Sequence, residues 1–272
     1  MHIVSIIITT KNEERNIEAC LKSIKRQTYK NIEIIVVDNN STDKTQLISK
    51  KYTSNVFSIG PERSAQRNFG AKKAKGKYVL FLDADMILTP SVVSECVKKM
   101  SSEVKTNWGG VIIPEISFGV GFWAQVKSFE RSFYINNDSV EAARFYDKKI
   151  FNEIGGFDEA ITGPEDWDFS QRVEKVYHIA RIRAAIRHNE GQLSLRQTLK
   201  KKYYYAKKYA VYEQKDKENR QKEFIVLDRY KLFFSQPLKL LKNPFLSTAM
   251  LFMKTAEFGA GALAYLSTKS SK

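Results

Sequence analysis

Cysteine is scarce in this chain. Cys20 and Cys96 are the only two in 272 residues, and neither has a second thiol at metal-site spacing. This argues against a disulfide framework or a zinc–thiolate centre and fits a reduced, cytoplasmic setting. Both thiols read more plainly as small buried apolar groups. Histidine is nearly as rare, at three. No signal peptide is visible. The apolar stretch Ile3–Ile8 is short, β-branched and followed at once by Lys11-Asn12-Glu13-Glu14, so it reads as a strand. Internal repeats and low-complexity segments are also lacking. Acidic residues thin out toward the C-terminus. Residues 1–180 hold 25 Lys and Arg against 23 Asp and Glu, whereas residues 181–272 hold 20 against 7. The formal charge of +15 is therefore a property of the last third. Such a block suggests an anionic partner, either nucleic acid or an anionic membrane face.

What is present first is alternation. Near-continuous apolar runs at Ile3–Thr10, Ile32–Val37 and Tyr78–Leu82, with a short one at Val56–Ile59, read as buried parallel strands. Between them, Asn16–Gln27 carries Ile17, Leu21 and Ile24 at helical spacing. A second helix follows the cap Asn40-Ser41-Thr42-Asp43, and a third spans Arg63–Lys73. This order predicts an α/β fold with a doubly wound, mainly parallel sheet. At 43% hydrophobic the chain can bury a substantial core.

Ligands of such sheets bind at the carboxyl ends of the strands. Several polar groups fall there: Thr9, Thr10 and Glu13 after the first strand, Asp38 after the second, Arg63 and Arg67 after the short third, and Asp83-Ala84-Asp85 after the next. Two ionised carboxylates crowded together repel unless a cation or donor separates them, which suits a divalent metal and a diphosphate. Asp-x-Asp recurs at Asp166-Trp167-Asp168, so it is the strand context that gives Asp83 and Asp85 their weight. The competing role for Asp83 and Asp85 is a solvated loop capping the next helix. For Asp38 it is capping its own following helix. Arg63 and Arg67 suit bidentate contacts with phosphate, with solvated surface positions as the alternative.

The ordered set Ser5–Glu13, Gln27-Thr28-Tyr29, Ile34–Asp38, Ser41-Thr42-Asp43, Arg67-Asn68, Gly76–Asp85, Gly155–Glu159 and Pro164–Trp167 closely resembles glycosyltransferase family 2, whose members have the GT-A fold. The likeness covers roughly residues 3–190 and implies the following roles. Thr9, Thr10, Glu13 and Asp38 contact the base and ribose of a nucleotide-sugar, with Arg63 and Asp83 also on the donor. Asp85 and Asp83 bind Mg2+ or Mn2+, with His188 as a further candidate ligand. Glu165 and Asp166 form the acidic pair near the acceptor, Asp166 being the general base of an inverting transfer. Apart from the likeness, Ala142–Phe145 reads as a strand returning near the acceptor, which makes Arg144 a candidate anion contact there, and Trp167 is a further candidate acceptor contact. Thr9 and Lys11 replace the proline and tyrosine common in the first loop, and Asn39-Asn40 replaces the usual Asp-Gly, which leaves the base preference open. The implied division is a catalytic domain at 1–190, with a nucleotide-sugar half at 1–110 and an acceptor half at 111–190, followed by a tail at 191–272.

Two features point to the acceptor. Phe118, Phe122, Trp123, Val126, Phe129 and Phe133 form an aromatic stripe at helical spacing, usually core, which can also face an apolar acceptor or a bilayer. In the tail, Lys200–Lys208 interleaves lysine and tyrosine, Tyr230–Leu241 is amphipathic and basic, and Pro244–Ser267 is apolar except for Lys254 and Glu257, which can pair at i,i+3. No nucleic-acid motif accompanies them. The length of Pro244–Ser267 reaches across a bilayer, yet two internal charges favour an interfacial or re-entrant segment. A helical pair packed on the domain is the soluble alternative. The expectation is a metal-dependent glycosyltransferase at the cytoplasmic face of the cell membrane, held by its tail and acting on a polyprenyl-linked glycan, with no nucleic-acid partner. Alternatives are a polyprenyl-phosphate sugar synthase and, in another class, a non-catalytic basic RNA- or membrane-binding module.

Overall fold

The computed structural model describes residues 2–102, 106–137, 140–161, 163–215 and 226–270. In chain order its elements are β1 (Val4–Thr10), α1 (Ile17–Lys25), β2 (Ile32–Asp38), α2 (Thr45–Ser49), β3 (Val56–Ser58), α3 (Arg63–Lys73), β4 (Tyr78–Asp83), β5 (Met86–Leu88), α4 (Val92–Met100), β6 (Trp108–Ile112), β7 (Glu115–Val120), α5 (Phe122–Ser132), β8 (Ala143–Asp147), α6 (Lys148–Glu153), α7 (Glu165–Glu174), β9 (His178–Arg181), β10 (Ile186–Gln192), α8 (Leu195–Lys215), α9 (Val226–Phe234), α10 (Pro237–Lys242) and α11 (Pro244–Ser270).

Every residue of β1 is buried, as its near-continuous apolar run requires of a central strand. It lies between β2 and β4 in a seven-stranded sheet of order β3-β2-β1-β4-β8-β6-β9. The pairs β3–β2, β2–β1, β1–β4 and β6–β9 are parallel. Only β8 runs the other way, against β4 and β6. The chain winds outward from β1 through β2 to β3 and then returns to place β4 on the other side of β1, so the order reverses between β1 and β4. In open α/β sheets that reversal is where ligands bind.

Successive side chains of a strand point to opposite faces. Ile6, Ile8, Leu80 and Leu82 share one core cluster with α1 and α4. Ile7, Val79 and Phe81 belong to the other, with Phe151, Phe157 and Phe169. The register pairs Thr9 with Asp83 and Thr10 with Asp38. Continuing the alternation, Thr9 and Asp83 emerge on the Ile7 face, and Thr10 and Asp38 on the other. Helix α3 covers the Ile7 face. A Cβ added at Gly70 would stand 2.4 Å from Ile7 Cγ2, so glycine is what lets this helix approach so closely. Arg63 and Arg67 lie on the same stripe as Gly70, at i, i+4 and i+7. They are thereby aimed at the strand ends.

The chain divides into two compact units, residues 1–116, 136–159 and 164–189, and residues 117–135, 160–163 and 190–272. The second has its own core, in which Val126 and Phe133 of the aromatic stripe meet Phe233, Met250 and Met253. The segment Tyr230–Leu241 is not one helix. Pro237 opens a new one, and the chain breaks into α9 and α10. Among the described residues no helix is long and apolar enough to cross a membrane. For α11 the cause is Lys254 and Glu257, which pair at 2.6 Å inside the unit.

Candidate active site

The cross-strand neighbours Thr9 and Asp83 are joined by a hydrogen bond from Thr9 Oγ1 to Asp83 Oδ1 of 3.0 Å. From α3, Arg67 reaches the same oxygen, its Nη2 donating at 3.1 Å. Its Nη1 donates to Asp166 Oδ1 at 2.6 Å and to Glu165 Oε1 at 3.3 Å. One turn earlier, Arg63 lies with Nε 3.3 Å from Glu165 Oε1 and Nη1 3.8 Å from Asp83 Oδ2. Arg67 is completely buried and sits over the Phe157 ring, 5.3 Å from its centroid. Burial alone would raise the Asp83 pKa. Arg67, then Arg63 and Arg144, outweigh it and hold the carboxyl far below the usual range.

Helix α7 delivers Glu165 and Asp166 in its first turn, where a helix N-terminus favours negative charge. Glu165 is buried, and Asp166 and Trp167 are half-buried. On the far side of Asp166, Arg144 Nη1 stands 3.5 Å from Oδ2, while its Nε donates to Glu115 Oε1 at 2.5 Å. The other oxygen of Glu115 is 3.3 Å from His188 Nδ1. His188 Nε2 is 3.3 Å from Asp85 Oδ2. The antiparallel pairing of β10 with β5 sets His188 opposite Met86, next to Asp85. A continuous row of polar contacts thus runs from Thr9 and Asp83 through Arg67, Asp166, Arg144, Glu115 and His188 to Asp85. Asp85 Oδ1 is buried without a hydrogen-bond partner. Among the described residues no set of three His, Cys, Asp or Glu side chains is grouped to hold a metal ion.

The remaining predicted residues occupy the neighbouring loops. Asp38 is buried and accepts from Ser41 N at 2.7 Å, Ser41 Oγ at 2.5 Å and Gln46 Nε2 at 2.7 Å, so it holds the loop into α2. The loops after β1 and β2 are stitched together. Asn12 N donates to Ser41 Oγ at 2.7 Å, Thr42 N to Asn12 Oδ1 at 2.8 Å, and Glu13 N to Thr45 Oγ1 at 2.8 Å. Asn12 takes the left-handed backbone this crossing needs, with φ of +54°. Burial raises the Glu13 pKa against a lowering hydrogen bond from Asn16, with Asp85 and Asp83 adding to the rise. Thr10 Oγ1 is buried and has no hydrogen-bond partner.

The structure therefore brings Thr9, Asp83, Arg63, Arg144, Glu165 and Asp166 into one cluster and sets Asp85 against His188. Two residues of this row hold positions that the sequence reading did not foresee. Arg67, read there as a phosphate or surface group, is the buried hub of three carboxylates. The stripe Arg63, Arg67, Gly70 was the available signal. Glu115 carried no signal, because its partners Arg144 and His188 lie far along the chain.

Residues 5–157 match the family described as Glycosyl transferase family 2. That span is more than half of the chain. The chain belongs to glycosyltransferase family 2. This family 2 chain is 28% identical over 219 residues to the glycosyltransferase GlyA of Streptococcus pneumoniae serotype 4, covering 77% of its own length and 29% of that protein's. It is 39% identical over 108 residues to WfaP of Escherichia coli, a UDP-Glc:alpha-D-GlcNAc-diphosphoundecaprenol beta-1,3-glucosyltransferase, covering 38% and 43%. The chain thus spans less than half the length of either relative. Among solved structures, the mannosyltransferase PcManGT of Pyrobaculum calidifontis, in complex with GDP-Man and Mn2+, superposes with a TM-score of 0.62 at 15% identity over 97% of this chain and 87% of that one. The family 2 glycosyltransferase accordingly has the GT-A-like mixed α/β fold with a mainly parallel central sheet and added C-terminal helices.

Proposed function

We propose that this glycosyltransferase moves a sugar, with inversion, from a nucleotide-sugar donor to a lipid-linked, polyprenyl-type glycan at the cytoplasmic face of a membrane. The observation that carries the reading is the cluster at the sheet's reversal point, where Arg67 bridges Asp83 and Asp166. The likeness to WfaP supports the acceptor class.

Asp85 and His188 are the residues that would hold Mg2+ or Mn2+. The buried, unpartnered Oδ1 of Asp85 and the facing imidazole nitrogen are an oxygen and nitrogen donor set that Mn2+ accepts. Cations of this kind at phosphate sites take few carboxylates and complete their shell with substrate oxygens and water. Bound there, the cation supplies charge compensation for the departing diphosphate.

Asp166 accepts the proton of the attacking hydroxyl. The acceptor oxygen forms its bond to the anomeric carbon as the bond to the diphosphate breaks, and the diphosphate leaves with the electron pair. Arg67 fixes one carboxylate oxygen of Asp166, and the buried Glu165 fixes Arg67 in turn. Arg63, partly exposed at the rim, faces the donor phosphates. Thr10, Glu13 and the loop held by Asp38 frame the base and ribose, and Trp167 lies on the acceptor side. A panel of nucleotide-sugars with and without Mn2+ tests this, read by thermal midpoint and by release of the nucleoside diphosphate. One donor should stabilise the protein only with metal and be turned over, and Asp85→Ala should abolish both effects. Undiminished turnover in chelator would overturn the metal role, and absence of stabilisation by every donor would overturn the donor assignment.

A further inference from the structure

Helices α10 and α11 of the second unit expose large apolar side chains while turning charged ones inward. In a soluble helix charged side chains face water and apolar ones face the core. In α11 the only two charges between Pro244 and Ser267, Lys254 and Glu257, are buried. Lys254 Nζ lies 2.5 Å from Glu130 Oε1 and 2.6 Å from Glu257 Oε2, and Lys127 Nζ lies 2.8 Å from Glu130 Oε2 and 3.3 Å from Glu257 Oε1. Tyr134 also donates to Glu130. The charges thus close a ring between α5 and α11, the arrangement that ionisable groups adopt in helices facing lipid.

The opposite face of α11 exposes large apolar side chains, with Thr248 among them. Phe245, Phe252, Leu263 and Leu266 are 58% to 74% exposed. At about 100° per residue these four fall within a 60° arc, and Lys254 lies about 180° from Phe245. Helix α10 repeats the inversion. Leu238 and Leu241 are 75% and 73% exposed, while Lys239 between them turns inward, donates to Ser132 O at 2.7 Å and covers the Phe133 ring. The exposed rings continue onto α5. Phe245 lies 5.4 Å from Phe122, and Phe252 lies 6.5 Å from Trp123, centroid to centroid. Among the described residues no helix is long and apolar enough to cross a bilayer. Residues 190–272, the C-terminal part of this unit, hold 17 Lys and Arg against 7 Asp and Glu, a net charge of +10.

We infer that the outward face of α10 and α11 is a monotopic docking surface for an anionic phospholipid leaflet. The apolar face enters the headgroup–acyl boundary and the basic segment meets the headgroup charge, the pairing that holds interfacial helices on membranes. A second copy of the chain would cover the apolar face, but it would bring a second block of positive charge to the same place, which disfavours it. The inference deepens the function proposed above by assigning the surface through which the enzyme meets its membrane.

Flotation of the full-length chain with vesicles tests it, comparing phosphatidylcholine alone with phosphatidylcholine containing phosphatidylglycerol. Binding should require phosphatidylglycerol, fall only in part at high salt, and weaken by about tenfold or more in Phe245→Ser/Phe252→Ser. Both positions are exposed, so the variant should keep its thermal midpoint and its donor hydrolysis. Trp123 fluorescence should shift to the blue on vesicle binding and be quenched by brominated acyl chains. Full-length protein left below the gradient with phosphatidylglycerol vesicles at low salt overturns the inference. So does a dimer by light scattering that the double variant converts to monomer without any lipid binding. Flotation reads lipid binding alone, so its failure is separable from failure of the donor assay.

Discussion

A guanidinium group with no exposed surface, shared by three carboxylates, is sensitive to loss of either sign. Arg67→Met should cost about 3–5 kcal/mol, the range for stripping one partner from a buried ionic cluster. The loss should depend on pH. Asp83 has a depressed pKa when folded, so its paired form contributes stability above about pH 4, its unfolded value, and that contribution fades as pH falls further. In Arg67→Met the Asp83 carboxylate loses its largest compensating charge and is relieved by protonation. The stability gap between the two proteins should therefore narrow from pH 7 to pH 4.5, as read by urea denaturation at both. A gap independent of pH would mean that Arg67 acts through packing on Phe157 instead of charge. Asp166→Asn retains the oxygen that Arg67 holds and removes the basicity. Transfer in a single turnover should drop by about 10²–10⁴-fold while calorimetric donor affinity stays unchanged. Weakened donor binding with normal turnover would reassign the residue.

At the scale of elements, local pattern went far. The β-branched runs located β1, β2 and β4, and the span Arg63–Lys73 was legible to the residue as α3. Period-two alternation then explains why Thr9 meets Asp83 and Thr10 meets Asp38. The pairing of Lys254 with Glu257 followed from helical spacing alone. What stayed hidden depends on contacts remote in sequence. Arg67 finds Glu165 and Asp166 across 98 and 99 positions. His188 reaches Asp85 only because β10 returns beside β5, which no periodicity announces. The same remoteness hid the ring of charges between α5 and α11. Lys254→Met breaks that ring and strands two carboxylates on Lys127, which should cost about 3–5 kcal/mol. Lys254→Met/Glu257→Leu leaves Lys127 balanced by Glu130 and should recover much of the loss. Urea midpoints for the single and double variants decide it, and equal loss in both would show that the ring is not the unit of stability.

For the whole molecule, the sequence suggested one α/β domain with an appendage and put the basicity in the last third. The grouping of residues 117–135 with the C-terminal helices was beyond it, because an aromatic helix reads as core without saying which core. Separate cores predict separable unfolding. A nucleotide-sugar at 100 times its Kd, with Mn2+, should stabilise the first unit by about 2.7 kcal/mol. Calorimetry should then show one transition moving upward and another left in place. Movement of both by the same amount would show that the two cores melt as one.

The uncharged strip of α11 also bears on encounter rates. A chain resting on a leaflet looks for its acceptor in a plane instead of a volume. Tethering of this kind turns the second contact into a nearly intramolecular one, whose strength is set by effective concentration. An enzyme so held can tolerate a weak intrinsic grip on the acceptor glycan and still find it filled. Its turnover on the membrane would follow the surface density of acceptor, not the amount per volume of suspension.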